Sequence, residues 1–222
     1  DRILARLFEK LGDRLCFSQR QLGLKKKQML DMSQQTPFND VTHYLYEMIQ
    51  TRATCFVDPQ GRPGLTALHI ESGPALLVGQ SVLSQGRMQE LAFTCAKSLY
   101  TLWPQHALVL MESSYENRKQ TILQTMMTLV KLGNAALDAP HDADMLALLT
   151  QRSTPGDLSE FDKDIKRILA DSRNQIDVSS WLEGLEHSAN RIGLLFCNDL
   201  EAAIRVINTH QPLSRATVKE QV

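Results

Sequence analysis

The chain has 222 residues, 43% hydrophobic and 22% charged, a globular balance that excludes global disorder. Its 24 Lys and Arg against 25 Asp and Glu leave a net charge of −1, which argues against a dedicated nucleic-acid binder, because neutralising phosphates needs a basic surplus. Eleven glycines and eight prolines exclude collagen-like and low-complexity chains. A chain of this length buries roughly 70–75% of its unfolded surface, so a single domain over 1–222 is expected to hold its core without disulfides. Cys16, Cys55, Cys95 and Cys197 are far apart with no CxxC, and read as four reduced, buried thiols of a cytoplasmic protein. No apolar run approaches the ~20 residues of a membrane span. The first residue is Asp1 rather than Met, as expected of a piece of a longer chain.

In chain order, residues 1–12 place Ile3, Leu4, Leu7, Phe8 and Leu11 on one face, predicting an amphipathic helix ended by Gly12. Residues 18–33 read as helical and carry Lys25, Lys26 and Lys27, a run expected to be a solvated face. Pro37, Asn39 and Asp40 break the chain. Asp40 then caps a helix through about Arg52 with Val41, Tyr44, Leu45 and Met48 inward.

The period changes next. Thr54–Val57 is rich in β-formers, Asp58-Pro59-Gln60-Gly61 is a turn, Gly64–Glu71 alternates, and Ala75–Val78 is a third short apolar run. These predict a small antiparallel sheet of two to four short strands inside a mainly helical chain, an α+β fold that is mainly α. After Gly86 the periodicity is helical over 87–103, 115–133, 158–171, 178–196 and 198–209, with a loop at Ser153–Gly156. Ser179 or Ser180 is expected to open the fourth of these helices and Asn198 the fifth.

Generic catalytic strings are missing: the chain has no GxGxxG, P-loop, GxSxG or HExxH. His43 and Glu47 lie one helical turn apart, a spacing that more often marks a surface contact than a metal site. The other histidines, His69, His106, His141, His187 and His210, are scattered. Lys97 and Ser98 are adjacent, so on a helix they diverge by about 100° and cannot act as a nucleophile pair.

Two distant segments carry the remaining information. The first runs Glu90-Leu91-Ala92-Phe93-Thr94-Cys95-Ala96-Lys97-Ser98-Leu99-Tyr100-Thr101, then Leu102-Trp103-Pro104-Gln105-His106. The second runs Trp181-Leu182-Glu183-Gly184-Leu185-Glu186-His187-Ser188-Ala189-Asn190-Arg191-Ile192-Gly193. Together they resemble the signature helices of the HtpX-like and CAAX-prenyl-endopeptidase-like zinc metallopeptidases with the active site erased. Pro74–Leu83 resembles the strand before the metal helix, Glu90-Leu91-Ala92 the lead-in, and His106 the later histidine. Lys97 then stands at the first ligand His, Ser98 at the general-base Glu and Thr101 at the second ligand His. Glu186 stands at the ligand Glu, Asn190 at the following Asp, and Arg191 and Gly193 at the residues after it.

The resemblance spans about 70–210, and it implies a zincin-like, pseudo-metallopeptidase core of the kind found in bacterial helical-repeat proteins. Zinc hydrolysis needs two neutral imidazoles, a ligand carboxylate and a base beside the first imidazole. Lys97 is a cation, Thr101 a poor ligand, and Ser98 has no basicity. The expectation is therefore a domain without metal, cofactor or catalysis, serving as an interaction or scaffold module for a protein or peptide, with neither nucleic acid nor a membrane span. Two alternatives stay open: an enzyme with an unrecognised non-zinc site, or a purely structural domain of a larger assembly. Without its metal, Glu186 would leave a buried carboxylate costing several kcal/mol of desolvation. Lys97 can reach the vacated position, so a Lys97–Glu186 ion pair is expected, with Thr101 or Ser98 adding a hydrogen bond. His106 is expected to cap or pack.

Overall fold

The computed structural model describes residues 2–112, 114–133, 140–170 and 177–209. Asp1, His210 and the side chains of Ile3 and Leu4 lie outside the described residues. The elements are α1 (Arg2–Leu15), α2 (Pro37–Ile49), β1 (Thr54–Val57), β2 (Leu65–Ile70), β3 (Gly73–Val78), α3 (Gln80–Leu83), α4 (Met88–Thr101), α5 (Ala107–Leu110), α6 (Tyr115–Gly133), α7 (Ala143–Arg152), α8 (Pro155–Ala170), α9 (Val178–Cys197) and α10 (Leu200–Thr209). The fold is α+β and mainly α, with one three-stranded sheet among the described residues. The chain divides into two compact units, one from the stretches up to Cys16 and Pro104–Trp181, the other from Phe17–Trp103 and Leu182 onward.

The second unit holds the sheet. Its strand order is β1-β3-β2, with β2 antiparallel and β1 parallel to β3. The sheet is therefore mixed, which corrects the expectation of an all-antiparallel one. The cause lies in the connection after β1. It crosses the end of β3, where Asp58 N–H donates to Val78 C=O and Gly79 N–H to Gly64 C=O, so β3 inserts between its predecessors. Gly79 is required there, because a Cβ would lie 2.2 Å from the Arg62 carbonyl oxygen.

Residues 17–30 form a strap across one face of this sheet rather than the helix expected over 18–33. Gly23 takes φ +66°, which ends any helical run, and Leu24 N–H turns back to Gln19 C=O. Leu24 then buries with Phe56, Leu68, Ile70, Ala75 and Leu77. The strap is held at Phe17 beside Ile70 of β2 and at Met29 beside Phe56 of β1, and only Lys26–Gln28 make a short 3-10 turn. Helix α2 packs on α4, with Thr42 Oγ1 facing Cys95 Sγ at 3.9 Å and Tyr46 Oη donating to Ala53 C=O at 2.7 Å.

The first unit is helical. In α1, Leu7, Phe8, Leu11 and Leu15 are buried, and Phe8 meets Trp181 edge-on at 5.3 Å. Gly12 does not end α1. It sits inside the helix where a Cβ would come within 2.8 Å of Ala107 Cβ, so its value is close packing. Along its polar side α1 meets α8 through Lys10–Glu160 (2.6 Å), Lys10–Asp164 (3.2 Å) and Arg14–Asp157 (2.9 Å).

Several helix starts also differ from expectation. Thr36 caps α2, with Pro37 at the first helical position, and Asp40 lies one turn inside. Asp177 accepts from Ser180 N–H, and Asp199 from Ala202 N–H, so neither Ser179, Ser180 nor Asn198 is the cap. Asn198 instead takes φ +47° just beyond α9. Cys55, Cys95 and Cys197 are buried free thiols, whereas Cys16 is half-buried.

Candidate functional site

Helix α4 follows β3 and the short α3, and its burial pattern is set by the elements packed on it, α2, β2, α9 and α10. Leu91, Cys95 and Leu99 are fully buried at i, i+4, i+8 spacing. Phe93, Lys97 and Thr101 form a second row, which faces α9. On α9 the facing row is Glu186, Asn190, Gly193 and Cys197, spaced by four, three and four residues.

The two rows meet closely. A Cβ on Gly193 would lie 2.9 Å from the Phe93 ring, so glycine is what lets the aromatic side chain lie against the α9 backbone. Phe93 and Cys197 continue this contact into a cluster with Ala203, Val206 and Ile207 of α10. Phe93 opposes Gly193 while Lys97 opposes Glu186, so the two helices run antiparallel. The expected packing of the 87–103 segment on the 178–196 segment is present.

Lys97 Nζ donates to Glu186 Oε1 at 2.6 Å. The Glu186 side chain is 0% exposed and that of Lys97 12%. The ion pair expected from the sequence is therefore present, and it is a buried one, in which removal of either partner strands a charge. Asn190 is buried one helical turn beyond Glu186. The supporting hydrogen bond expected from Thr101 is not made: Thr101 Oγ1 donates to the Ser98 carbonyl at 2.8 Å, so its one hydrogen is spent on the backbone. Ser98 is half-buried.

This donor set does not fit a zinc ion. An ammonium has no lone pair to give, and the neutral Thr101 hydroxyl, its proton held by the Ser98 carbonyl, is a weak ligand. Among the described residues no three His, Cys, Asp or Glu side chains gather as a metal site. His43 Nε2 lies 2.9 Å from Met32 C=O, and Glu47 pairs with Arg52 at 2.7 Å, so the His43/Glu47 spacing serves two separate contacts. His106 belongs to the first unit, where it is buried with its ring 6.4 Å from that of Trp181 and caps no helix through its side chain. It packs.

One charged centre was not legible. Glu90 lies in the first turn of α4, and its Oε1 accepts from Arg205 Nε (2.7 Å) and Arg87 Nη1 (2.9 Å) while Oε2 accepts from Gln85 Nε2 (2.9 Å). The Arg205 guanidinium, with Arg87 beside it, holds the Glu90 carboxyl below its usual pKa despite burial. The i,i+3 spacing of Arg87 and Glu90 permits a local pair, but Arg205 lies 115 residues away on α10 and no local signal joins it. Close by, burial pushes the Cys95 thiol up to about 12 and raises those of Cys55 and Cys197, so these cysteines stay neutral and unreactive at neutral pH.

No family model, curated protein or solved structure matches the chain.

Proposed function

We propose that this chain is a non-catalytic protein-interaction module built on a zincin-like core, in which the Lys97–Glu186 ion pair stands where such a core would hold its metal. The observation that carries the reading is the pair itself: a fully buried carboxylate on α9 met at 2.6 Å by a lysine from α4. The positions on α4 that would supply two imidazoles and a base hold Lys97, Ser98 and Thr101, none able to activate water.

The outer edge of β2 supports a peptide partner. His69 C=O accepts from Phe17 N–H, and strand alternation then turns the N–H and C=O of Leu65 and Ala67 outward too. Those two positions have no partner among the described residues. The β2 sequence, Leu-Thr-Ala-Leu-His-Ile, contains neither a charge nor a proline to discourage pairing. An extended peptide adds there as a further strand.

Two experiments test the reading. Protein purified without chelator carries well under one equivalent of zinc, and the Lys97→His/Thr101→His double variant gains about one equivalent that Glu186→Gln removes. One equivalent in the parent, lost with Glu186→Gln, refutes the reading. In a display selection of peptides, bound sequences are released by Ala67→Pro, which deletes an outward N–H and leaves the ladder to β3 intact. Retention by a folded Ala67→Pro variant moves the partner elsewhere.

A further inference from the structure

The strap carries charge that the proposed peptide site does not use. Between Ser18 and Leu30 the sequence holds Arg20, Lys25, Lys26 and Lys27 and no Asp or Glu. All four side chains are exposed, and none is ion-paired with a described residue. Elsewhere in the same unit Arg52, Arg62, Arg87, Lys97 and Arg205 each hold a carboxylate. In a chain of net charge −1, this is a local surplus.

The surplus is presented on a fixed backbone. Leu24 is buried in the sheet-face cluster immediately before the lysines, the Gln28 side chain accepts from Lys25 N–H at 2.7 Å, and Leu30 N–H donates to Cys55 C=O of β1 at 2.8 Å. Lys26 and Lys27 lie on a 3-10 turn, where successive side chains point about 120° apart. Such ammonium groups diverge, so they cannot converge on one phosphate or carboxylate. They suit negative charge spread over a surface. The segment Ser18–Leu30 contains no aromatic ring and a single arginine, a poor set for stacking on or reading nucleic acid. Met29, two residues after Lys27, leaves 49% of its surface in water, an unbranched apolar side chain that a bilayer interface accepts and a row of carboxylates does not.

We infer that the Lys25–Lys27 turn, with Arg20 and Met29, docks this unit peripherally on an anionic lipid surface. The docking is electrostatic, strengthened by Met29, and reversible by salt. It is independent of the peptide edge of β2.

Co-sedimentation of the whole chain with vesicles tests it. Phosphatidylcholine containing about one third phosphatidylserine binds the protein, pure phosphatidylcholine does not, and raised salt releases it. The Lys25→Gln/Lys26→Gln/Lys27→Gln variant, with its circular dichroism unchanged, loses about a hundredfold in partitioning. Met29→Ser loses a smaller factor, and Lys163→Gln on α8 loses none. Three results overturn the inference: no binding by the parent, equal binding to neutral vesicles, or a triple variant that binds like the parent. Capture of poly-glutamate with the vesicles ignored overturns it as well. None of these outcomes touches zinc content or the Ala67→Pro test, so the docking inference and the peptide-module reading fail separately.

Discussion

Lysine–carboxylate pairs of the same length join helices in both units, and they do different things. In the second unit Lys97 meets Glu186 at 2.6 Å with side-chain exposures of 12% and 0%. In the first, Lys10 meets Glu160 at 2.6 Å with exposures of 35% and 58%. Distance is therefore no measure of consequence. The exposed pair exchanges freely with water and counter-ions, whereas the buried pair has only each other and the polar atoms beside them, so breaking it leaves a charge that water cannot solvate.

The largest expected effect follows directly. Lys97→Ala is expected to cost about 3–5 kcal/mol, read as a fall in the denaturation midpoint at unchanged slope. Glu160→Ala, which removes the exposed partner and leaves Lys10 with Asp164, is expected to leave the midpoint close to the parent's, and any small change vanishes in high salt. Equal losses in the two variants would erase the contrast.

Packing at the crossing comes next. Gly193→Ala places a methyl within 2.9 Å of the Phe93 ring, which is itself buried on all sides. Overpacking of this kind costs about 1–3 kcal/mol, and here it also pushes α9 away from Lys97. A stability within a few tenths of the parent would show that the helices are further apart than described.

Acid sharpens the comparison by separating carboxylates. Glu90 is held below its ordinary pKa of 4.5 by Arg205 and Arg87, so its contribution to stability is complete above that value and is lost as pH falls through the lower folded value. Asp157, held at about 2 by Thr154 N–H and then Arg14, follows the same sign, with its loss confined to the window between 3.8 and about 2. Glu90→Gln is expected to flatten the acid limb of the stability curve, and Arg205→Ala to do the same. A parent and Glu90→Gln variant with superimposable acid limbs would remove Glu90 from the account.

Much of this architecture was readable where the signal is local. The run Thr54–Val57 is a strand with those bounds, and α6 runs Tyr115–Gly133 as its periodicity predicts. The Lys97–Glu186 pair was also legible, because the resemblance set a cation on one helix opposite a carboxylate on the other, and a buried carboxylate needs a partner. What escaped depends on distant partners. Strand order could not follow from three short apolar runs, since the insertion of β3 between β1 and β2 is decided by how the 58–64 connection crosses at Gly79. The strap over 17–30 keeps a helical hydrophobic spacing, but Gly23 and the burial of Leu24 against the sheet override it. Glu90 looked like part of a lead-in motif, and its role depends on Arg205, far along the chain.

The most direct test of the central claim is a double-mutant cycle on Lys97→Met and Glu186→Leu. A buried pair at the α4–α9 crossing predicts that each single variant is destabilised by about 3–5 kcal/mol while the double variant returns close to the parent, because an apolar pair strands no charge. Two additive losses, with no coupling between the positions, would contradict it.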